Sequence, residues 1–332
     1  MKQHRFLTLI GLSLLAGCSA PPPTNNTANT SYPTAHVGVT ISNTTNPFFK
    51  AAYAAYEAES QAQPSLTLSL MSANDDQATQ FKQYDEMIAK GAKALVINLA
   101  DVSQGAAVTE KYCNQVPLVF FNRNPGEKVI AGCQNAYFVD GDATQAGVLQ
   151  GLKVLELWKE NPHWDKNKDG IIQFAMLEGI PGHAGAQART KWSISTMENY
   201  PSLGIPTQKI LQDYAMFNKE KATEMVTTWM TLPEFQNVEV LLANNDNMAL
   251  GASTALKAQG IKLPIFGIDA TEDGLNAVKS GDITATVLND AAAQAKTSLR
   301  LAANLASGAD PLSGIDYRME YKVIQVPYQA VE

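Results

Sequence analysis

Val238-Glu-Val-Leu-Leu-Ala-Asn-Asn-Asp246 decides how this chain folds. The apolar run 240–243, too short for a helix, preceded by Glu239 and followed by Asn244-Asn245-Asp246, is a strand buried on both faces and terminating in a cluster of amides and acid. A helical pattern over 247–259 follows it. Then come a strand at 264–268, a helix at 273–280, a strand at 284–288 and a helix at 292–307, with a last apolar run at 322–326. Upstream the rhythm is the same, with strands at 172–177 and 208–214 and helices at 186–200 and 219–230. From the start, strands at 37–41, 66–71, 94–99, 117–121 and 137–140 alternate with helical patterns at 47–61, 76–90, 103–113 and 144–158. Such alternation requires parallel sheets covered by helices on both faces. About ten strands are too many for one open sheet in a chain of 332 residues. The fold class expected is therefore α/β, with two doubly wound parallel-sheet lobes and a boundary near Gly141.

Thirty-two acidic against 25 basic residues give a net charge of −7, with the basic residues scattered. That disfavours a nucleic-acid surface. Lys2, His4 and Arg5 precede the apolar run 6–15, which is too short to span a bilayer and reads as the core of a signal peptide over 1–17. It ends in Leu15-Ala16-Gly17-Cys18, which looks like a bacterial lipobox and makes Cys18 the expected lipid-bearing residue and membrane anchor. The Pro-, Asn- and Thr-rich stretch up to residue 35 reads as a flexible linker over 18–35. Cys113 and Cys133 would then lie in an oxidising compartment. They either pair, closing a loop of about 20 residues, or stay as two buried thiols.

Asp165-Lys-Asn-Lys-Asp-Gly-Ile-Ile-Gln173 has the ligand order of a calcium loop. Asp165, Asn167, Asp169 and Gln173 stand at its first, third, fifth and ninth positions, and Ile171 at the seventh offers its carbonyl. Gly170 occupies the sixth, where the turn needs no Cβ. The twelfth position is Met176 and not Glu. Either the loop is only a polar turn, or its closing carboxylate comes from elsewhere in the chain.

Ligands of open parallel sheets bind beyond the C-terminal strand ends. Here those ends carry Asn46, Asn122, His183 leading to Arg189, Asn244-Asn245-Asp246, Asp269 and Asn289, with Phe48 and Phe217 nearby. Any one Asn is as well explained as a turn or cap. Together, planar amides, one acid, one guanidinium and two ring faces suit the hydroxyls and C–H patches of a sugar. Catalysis is not supported. Gly-x-Ser-x-Gly, His-Glu-x-x-His and a phosphate loop are absent from the sequence, and only Asp269 stands out where a glycosidase needs two facing carboxylates.

From residue 37 to near 328 the chain resembles the periplasmic galactose/glucose-binding proteins of sugar ABC transporters. The resemblance is carried by Gly38-Val-Thr-Ile41, Ala94-Leu-Val-Ile-Asn-Leu99, Val119-Phe-Phe-Asn122 and Trp164-Asp-Lys-Asn-Lys-Asp-Gly170. It continues through Pro181-Gly-His183, Ala188-Arg189, Ala243-Asn-Asn-Asp246, Phe266-Gly-Ile-Asp269 and Thr286-Val-Leu-Asn-Asp290. It implies lobes of 36–141 plus 290–325 and 142–289 plus 326–332, joined by three crossings near Gly141, Asn289 and Gln325, which close over a sugar by hinge bending. It also implies that Glu239 supplies the missing carboxylate of a structural Ca2+ site in the second lobe. Sugar contacts then fall on Asn46, Phe48, Asn122, His183, Arg189, Phe217, Asn245, Asp269 and Asn289.

Three positions depart from the family pattern. Asn46 and Gly185 stand where Asp is usual, and Phe217 where Trp is usual. A pocket lacking two carboxylates is expected to admit a substituted sugar such as a small galactoside. The implied role is a monomeric periplasmic protein handing a hexose (galactose or glucose) to an ABC permease, or serving a chemoreceptor. The rivals are a pentose or quorum-signal binder and a purely sensory receptor. An enzyme ranks behind these.

Overall fold

The computed structural model describes residues 31–331. The signal segment, Cys18 and most of the expected linker lie outside the described residues. Tyr32, placed within the linker by sequence, packs against the folded chain. Tyr32 is buried, its hydroxyl donates to the Lys296 carbonyl at 3.3 Å, and the Arg300 guanidinium covers its ring at 3.6 Å. An aromatic ring with a partnered hydroxyl docks readily, and the Pro/Asn/Thr composition around it hid that.

The first half of the chain runs β1 (Ala35–Ile41), α1 (Pro47–Ala62), β2 (Leu66–Ser72), α2 (Gln77–Ala89), β3 (Ala94–Ile97), α3 (Gly105–Tyr112), β4 (Leu118–Phe121), α4 (Glu127–Gly132), β5 (Ala136–Gly141) and α5 (Ala143–Glu160). It continues with β6 (Ile172–Glu178), α6 (Ala184–Asn199), β7 (Thr207–Tyr214), α7 (Lys219–Trp229), β8 (Val240–Ala243), α8 (Asp246–Ala258), β9 (Ile265–Phe266), α9 (Glu272–Ser280), β10 (Val287–Leu288) and α10 (Ala291–Ser307). Three short strands end it: β11 (Met319–Glu320), β12 (Val323–Val326) and β13 (Gln329–Ala330). The helix α4 and the strands β11 and β13 were not predicted; each is too short to show a period.

Two parallel sheets share one winding. The larger runs β2-β1-β3-β4-β5-β12, with β11 added antiparallel at its edge, and the smaller runs β7-β6-β8-β9. In both, the first strand of the unit sits second in the sheet and the chain winds outward from it, the doubly wound order read from the alternation. The predicted strand at 284–288 is reduced to an isolated bridge from Ala285 to Phe266 and the two residues of β10, which pair antiparallel with β13. Burial explains the strand compositions. All residues of β3, β4, β6 and β8 are buried, whereas edge strand β7 exposes Lys209 and Asp213. Charges on that edge discourage pairing with another chain.

Each sheet has an apolar cluster on either face. Val37, Val39, Ile41, Tyr56 and Phe121 pack with Leu299 and Ala303 of α10, while Tyr84, Leu95, Ile97, Phe120 and Phe138 fill the opposite side. In the smaller sheet, Leu241, Val226 and Trp229 lie on one side and Phe174, Leu242 and Trp158 on the other. A small cluster of Ala146, Ile268, Val287 and Tyr328 lies where β10 and β13 meet α5.

Cys113 and Cys133, left as a pair or as two thiols by the sequence, are joined in a disulfide that ties the ends of α3 and α4. Closing a loop of this size stabilises a fold by about 3 kcal/mol. Reduction is expected to lower the melting temperature by several degrees without changing ligand affinity. Thermal unfolding with and without reductant measures it, and identical curves would show the bridge to be idle.

Candidate functional site

All nine residues predicted to contact ligand line one cavity of about 550 Å3. They come from the C-terminal strand ends of both sheets. Asn46 follows β1, Asn122 follows β4, and Asp269 and Asn289 follow β9 and β10. His183 and Arg189 belong to the start of α6, Asn245 precedes α8, and Phe48 and Phe217 sit in the first turns of α1 and before α7. The sheets place the ends of their strands; the strand ends place the side chains.

The cap-or-ligand alternative for these residues resolves as both. Asn46 caps α1, its Oδ1 accepting from Phe48 N at 2.9 Å, and Asn245 caps α8 in the same way through Met248 N at 3.0 Å. Capping occupies the amide oxygen and leaves the NH2 group as a donor. His183 caps α6, its Nδ1 accepting from Ala186 N at 3.2 Å. A ring nitrogen that accepts from an amide is unprotonated, so the proton of the neutral imidazole is on Nε2. Burial and the nearby charges of Arg189 and Arg123 hold His183 down at about 4, so it is neutral at physiological pH.

Arg189 ties the site together. Its Nη1 donates to the Asn244 carbonyl at 2.6 Å, its Nη2 to the Tyr328 hydroxyl at 2.6 Å, and Asp269 Oδ1 lies 3.6 Å away. Its buried Nε has no partner within the described residues. Asp269 in turn accepts from Asn289 Nδ2 at 3.0 Å, and Asn289 Oδ1 accepts from Gln294. Burial raises the Asp269 carboxyl, opposed by Arg189 and the Asn289 amide.

The two rings predicted as stacking faces are seated differently. Phe48 is buried and stacks on Phe121, with centroids 6.4 Å apart. Phe217 meets the His183 ring edge-on at 5.2 Å. A Cβ on Gly179 would lie 2.1 Å from the Phe217 ring, so only glycine lets that ring settle against the end of β6. Gly185 also lines the cavity, beside His183.

Backbone strain gathers here. Asn122, Met216, Phe217, Asp269 and Ala270 all have positive φ, at 61, 55, 56, 126 and 51°. Such conformations cost of order 1–3 kcal/mol each for residues with a Cβ and persist where a site requires them.

The sequence reading missed several lining residues. Asp140, Arg123, Asp75 and Tyr328 also face the cavity. Asp75 accepts twice from Asn43 Nδ2 and lies 3.9 Å from Arg123. Asp140 ends a strand as plainly as Asn122 does, and the strand-end rule could have found it. Tyr328 lies beyond the last predicted strand and carried no signal.

At the calcium-like loop, Gly170 has φ +73°, and Asp165 and Asp169 accept from backbone amides within the loop. Glu239 is buried and turns toward it, accepting from Lys166 N at 2.6 Å and Gln173 N at 3.3 Å. Gln173 Oε1 is buried with no hydrogen-bond partner. Among the described residues no three His, Cys, Asp or Glu side chains form a metal-binding group. The donors here are carboxylate, amide and carbonyl oxygens, the set a hard cation prefers, and the orphaned Gln173 oxygen fits such an ion.

Residues 37–310 match the periplasmic binding protein domain. The chain belongs to the periplasmic binding protein family. Over 297 residues, 89% of this chain and 89% of the relative, this family member is 37% identical to the D-galactose/methyl-galactoside binding periplasmic protein MglB of Haemophilus influenzae. A Bacillus halodurans ABC transporter solute binding protein with bound myo-inositol shares 26% identity at a TM-score of 0.72, covering 91% of this chain and 95% of that one. An Actinobacillus succinogenes periplasmic solute binding protein with bound D-allose has the same fold, with a TM-score of 0.73 at 20% identity over 90% and 97% of the two chains. These relatives are solute-binding proteins and not enzymes, and the chain is likewise a periplasmic binding protein, the role that its polar strand-end groups and family resemblance led us to expect.

Proposed function

We propose that this periplasmic binding protein captures a hexose, galactose or glucose or a small galactoside, in the cavity between its two sheets and delivers it to an ABC permease. The observation that carries the reading is the convergence of nine polar and aromatic residues from both sheets on one cavity of about 550 Å3. A hexose ring needs donors and acceptors around its rim and apolar surface on its faces. The amides of Asn46 and Asn245, the Nε2–H of His183, the guanidinium of Arg189 and the carboxylate of Asp269 serve the rim; Phe48 and Phe217 serve the faces. Contacts from both lobes favour the closed arrangement, because a ligand shifts an equilibrium by its differential affinity for the two states. The hexose choice over a pentose is supported by the 37% identity to a galactose-binding protein. A thermal-shift panel of hexoses, methyl-galactosides, pentoses and myo-inositol tests it. Galactose or its methyl glycoside should give the largest stabilisation. A shift confined to pentoses or myo-inositol would overturn the hexose assignment.

The calcium loop is a second part of the proposal. Asp165, Asn167, Asp169, the Ile171 carbonyl, Gln173 and Glu239 would hold the ion, which would bring positive charge to the loop's carboxylates and pin the loop to the head of β8. Its role is structural, since none of these side chains lines the ligand cavity.

A further inference from the structure

We propose that Asp140 determines specificity in this cleft by accepting a hydrogen bond directly from a ligand hydroxyl. The inference rests on the sugar-binding reading and deepens it. Most side-chain acceptors of the cleft are already engaged; Asn122 Oδ1, Asp269 Oδ2 and Asp140 Oδ2 have no donor among the described residues. The side-chain oxygens of Asn46 and Asn245 are occupied by helix caps, that of Asn289 by Gln294, and both oxygens of Asp75 by Asn43. The carboxylates that the sequence resemblance places at positions 46 and 185 are here Asn and Gly. A sugar hydroxyl donates as well as accepts, and each buried hydroxyl hydrogen requires an acceptor.

Asp140 supplies one. It is the penultimate residue of β5, lines the cavity and is only partly exposed. Its Oδ1 accepts from Gly141 N at 2.7 Å and from Asn122 Nδ2 at a long 3.4 Å. Its Oδ2 accepts nothing, and no cation lies within ion-pair distance, among the described residues. The charged groups acting on it are Arg189 of α6, Asp142 at the cap of α5 and Tyr328 before β13; Asp269 and Arg123 line the same cavity. Among the described residues Arg189 is the cation that favours its ionised form, and that guanidinium is already engaged by Asn244, Tyr328 and Asp269. Burial therefore pushes the Asp140 carboxyl up to about 7, opposed by the Gly141 amide and Arg189 and reinforced by Asp142. A carboxyl that burial pushes toward its neutral form, with a free oxygen at a strand end, is a site that a hydroxyl donor fits.

A hydroxyl donating to Oδ2 favours the carboxylate, so binding lowers the Asp140 pKa and releases protons near neutrality. Affinity is then complete above pH 7 and weakens as pH falls through 7, by at most tenfold per pH unit. Neutral His183, already deprotonated at these pH values, does not contribute to that change.

The test is titration calorimetry of the full chain with D-galactose at pH 6 and pH 8, in paired buffers of different ionisation enthalpy. Binding about five- to tenfold weaker at pH 6 is expected, with net proton release near pH 7. Asp140→Asn should remove both effects and weaken binding at pH 8 by about tenfold or more. The wild-type proton release stands as evidence even if that variant folds poorly. Binding that is indifferent to pH, or proton release that persists in Asp140→Asn, would overturn the inference and leave the sugar reading intact. A wild-type chain that binds no hexose would overturn both.

Discussion

Replacing Arg189 by methionine is expected to weaken ligand binding sharply and to destabilise the protein. Arg189 is buried, bridges the Asn244 carbonyl and the Tyr328 hydroxyl, and faces Asp269. Truncation leaves Asp269 and Asp140 without their shared counter-charge. Breaking a buried pair from one side costs about 3–5 kcal/mol because an uncompensated charge remains. Losing the charged donor to the ligand adds about 1.5–3 kcal/mol to the binding cost, a ten- to more than hundredfold fall in affinity. Arg189→Lys keeps the charge but not the fork that reaches two acceptors at once, so it should retain stability better than affinity. Calorimetry and thermal unfolding of the two variants separate these effects. Undiminished sugar affinity in Arg189→Met would contradict the role assigned to it.

Removing the proposed calcium ion is expected to have an effect on stability comparable to that of reducing the disulfide. An ion held at a free concentration about 100-fold above its Kd stabilises the native state by about 2.7 kcal/mol. Chelation should therefore lower the melting temperature by about 5–10 °C, taking about 2–4 °C per kcal/mol for a domain of this class. Glu239→Gln should lower it to a similar level and make it insensitive to chelator, because Glu239 joins the loop to β8 from 66 positions beyond Gln173. Equal melting curves with chelator and with added calcium, for wild type and variant alike, would refute the site.

The winding of both sheets was legible because their central strands are continuous apolar runs between helices of ordinary period. The site was legible because a parallel sheet exposes its ligand groups at one predictable end, so Asn122, Asp269 and Asn289 stand out as polar residues closing apolar runs. Most of what escaped lacks either signal. β11 and β13 have two residues each, too few for a pattern. Tyr328 enters the cavity from a segment after the last long strand, and its partner Arg189 is 139 residues away. Tyr32 looked like linker because its neighbours are polar. Asp140 closes the strand 137–140 and met the same rule, but its unpartnered oxygen is visible only once Asn122 and Arg189 are in place. Asn46 and Asn245 show that a capping residue and a ligand residue are not alternatives, since an amide has an oxygen for the helix and a nitrogen for the cleft.

The most direct test of the account is a crystal structure of the protein grown with D-galactose. The account predicts the sugar ring in the cavity bordered by Phe48 and Phe217, with its hydroxyls on Asn122, His183, Arg189, Asn245 and Asp269. A sugar bound elsewhere on the surface, or a different ligand class filling that cavity under the same conditions, would contradict it.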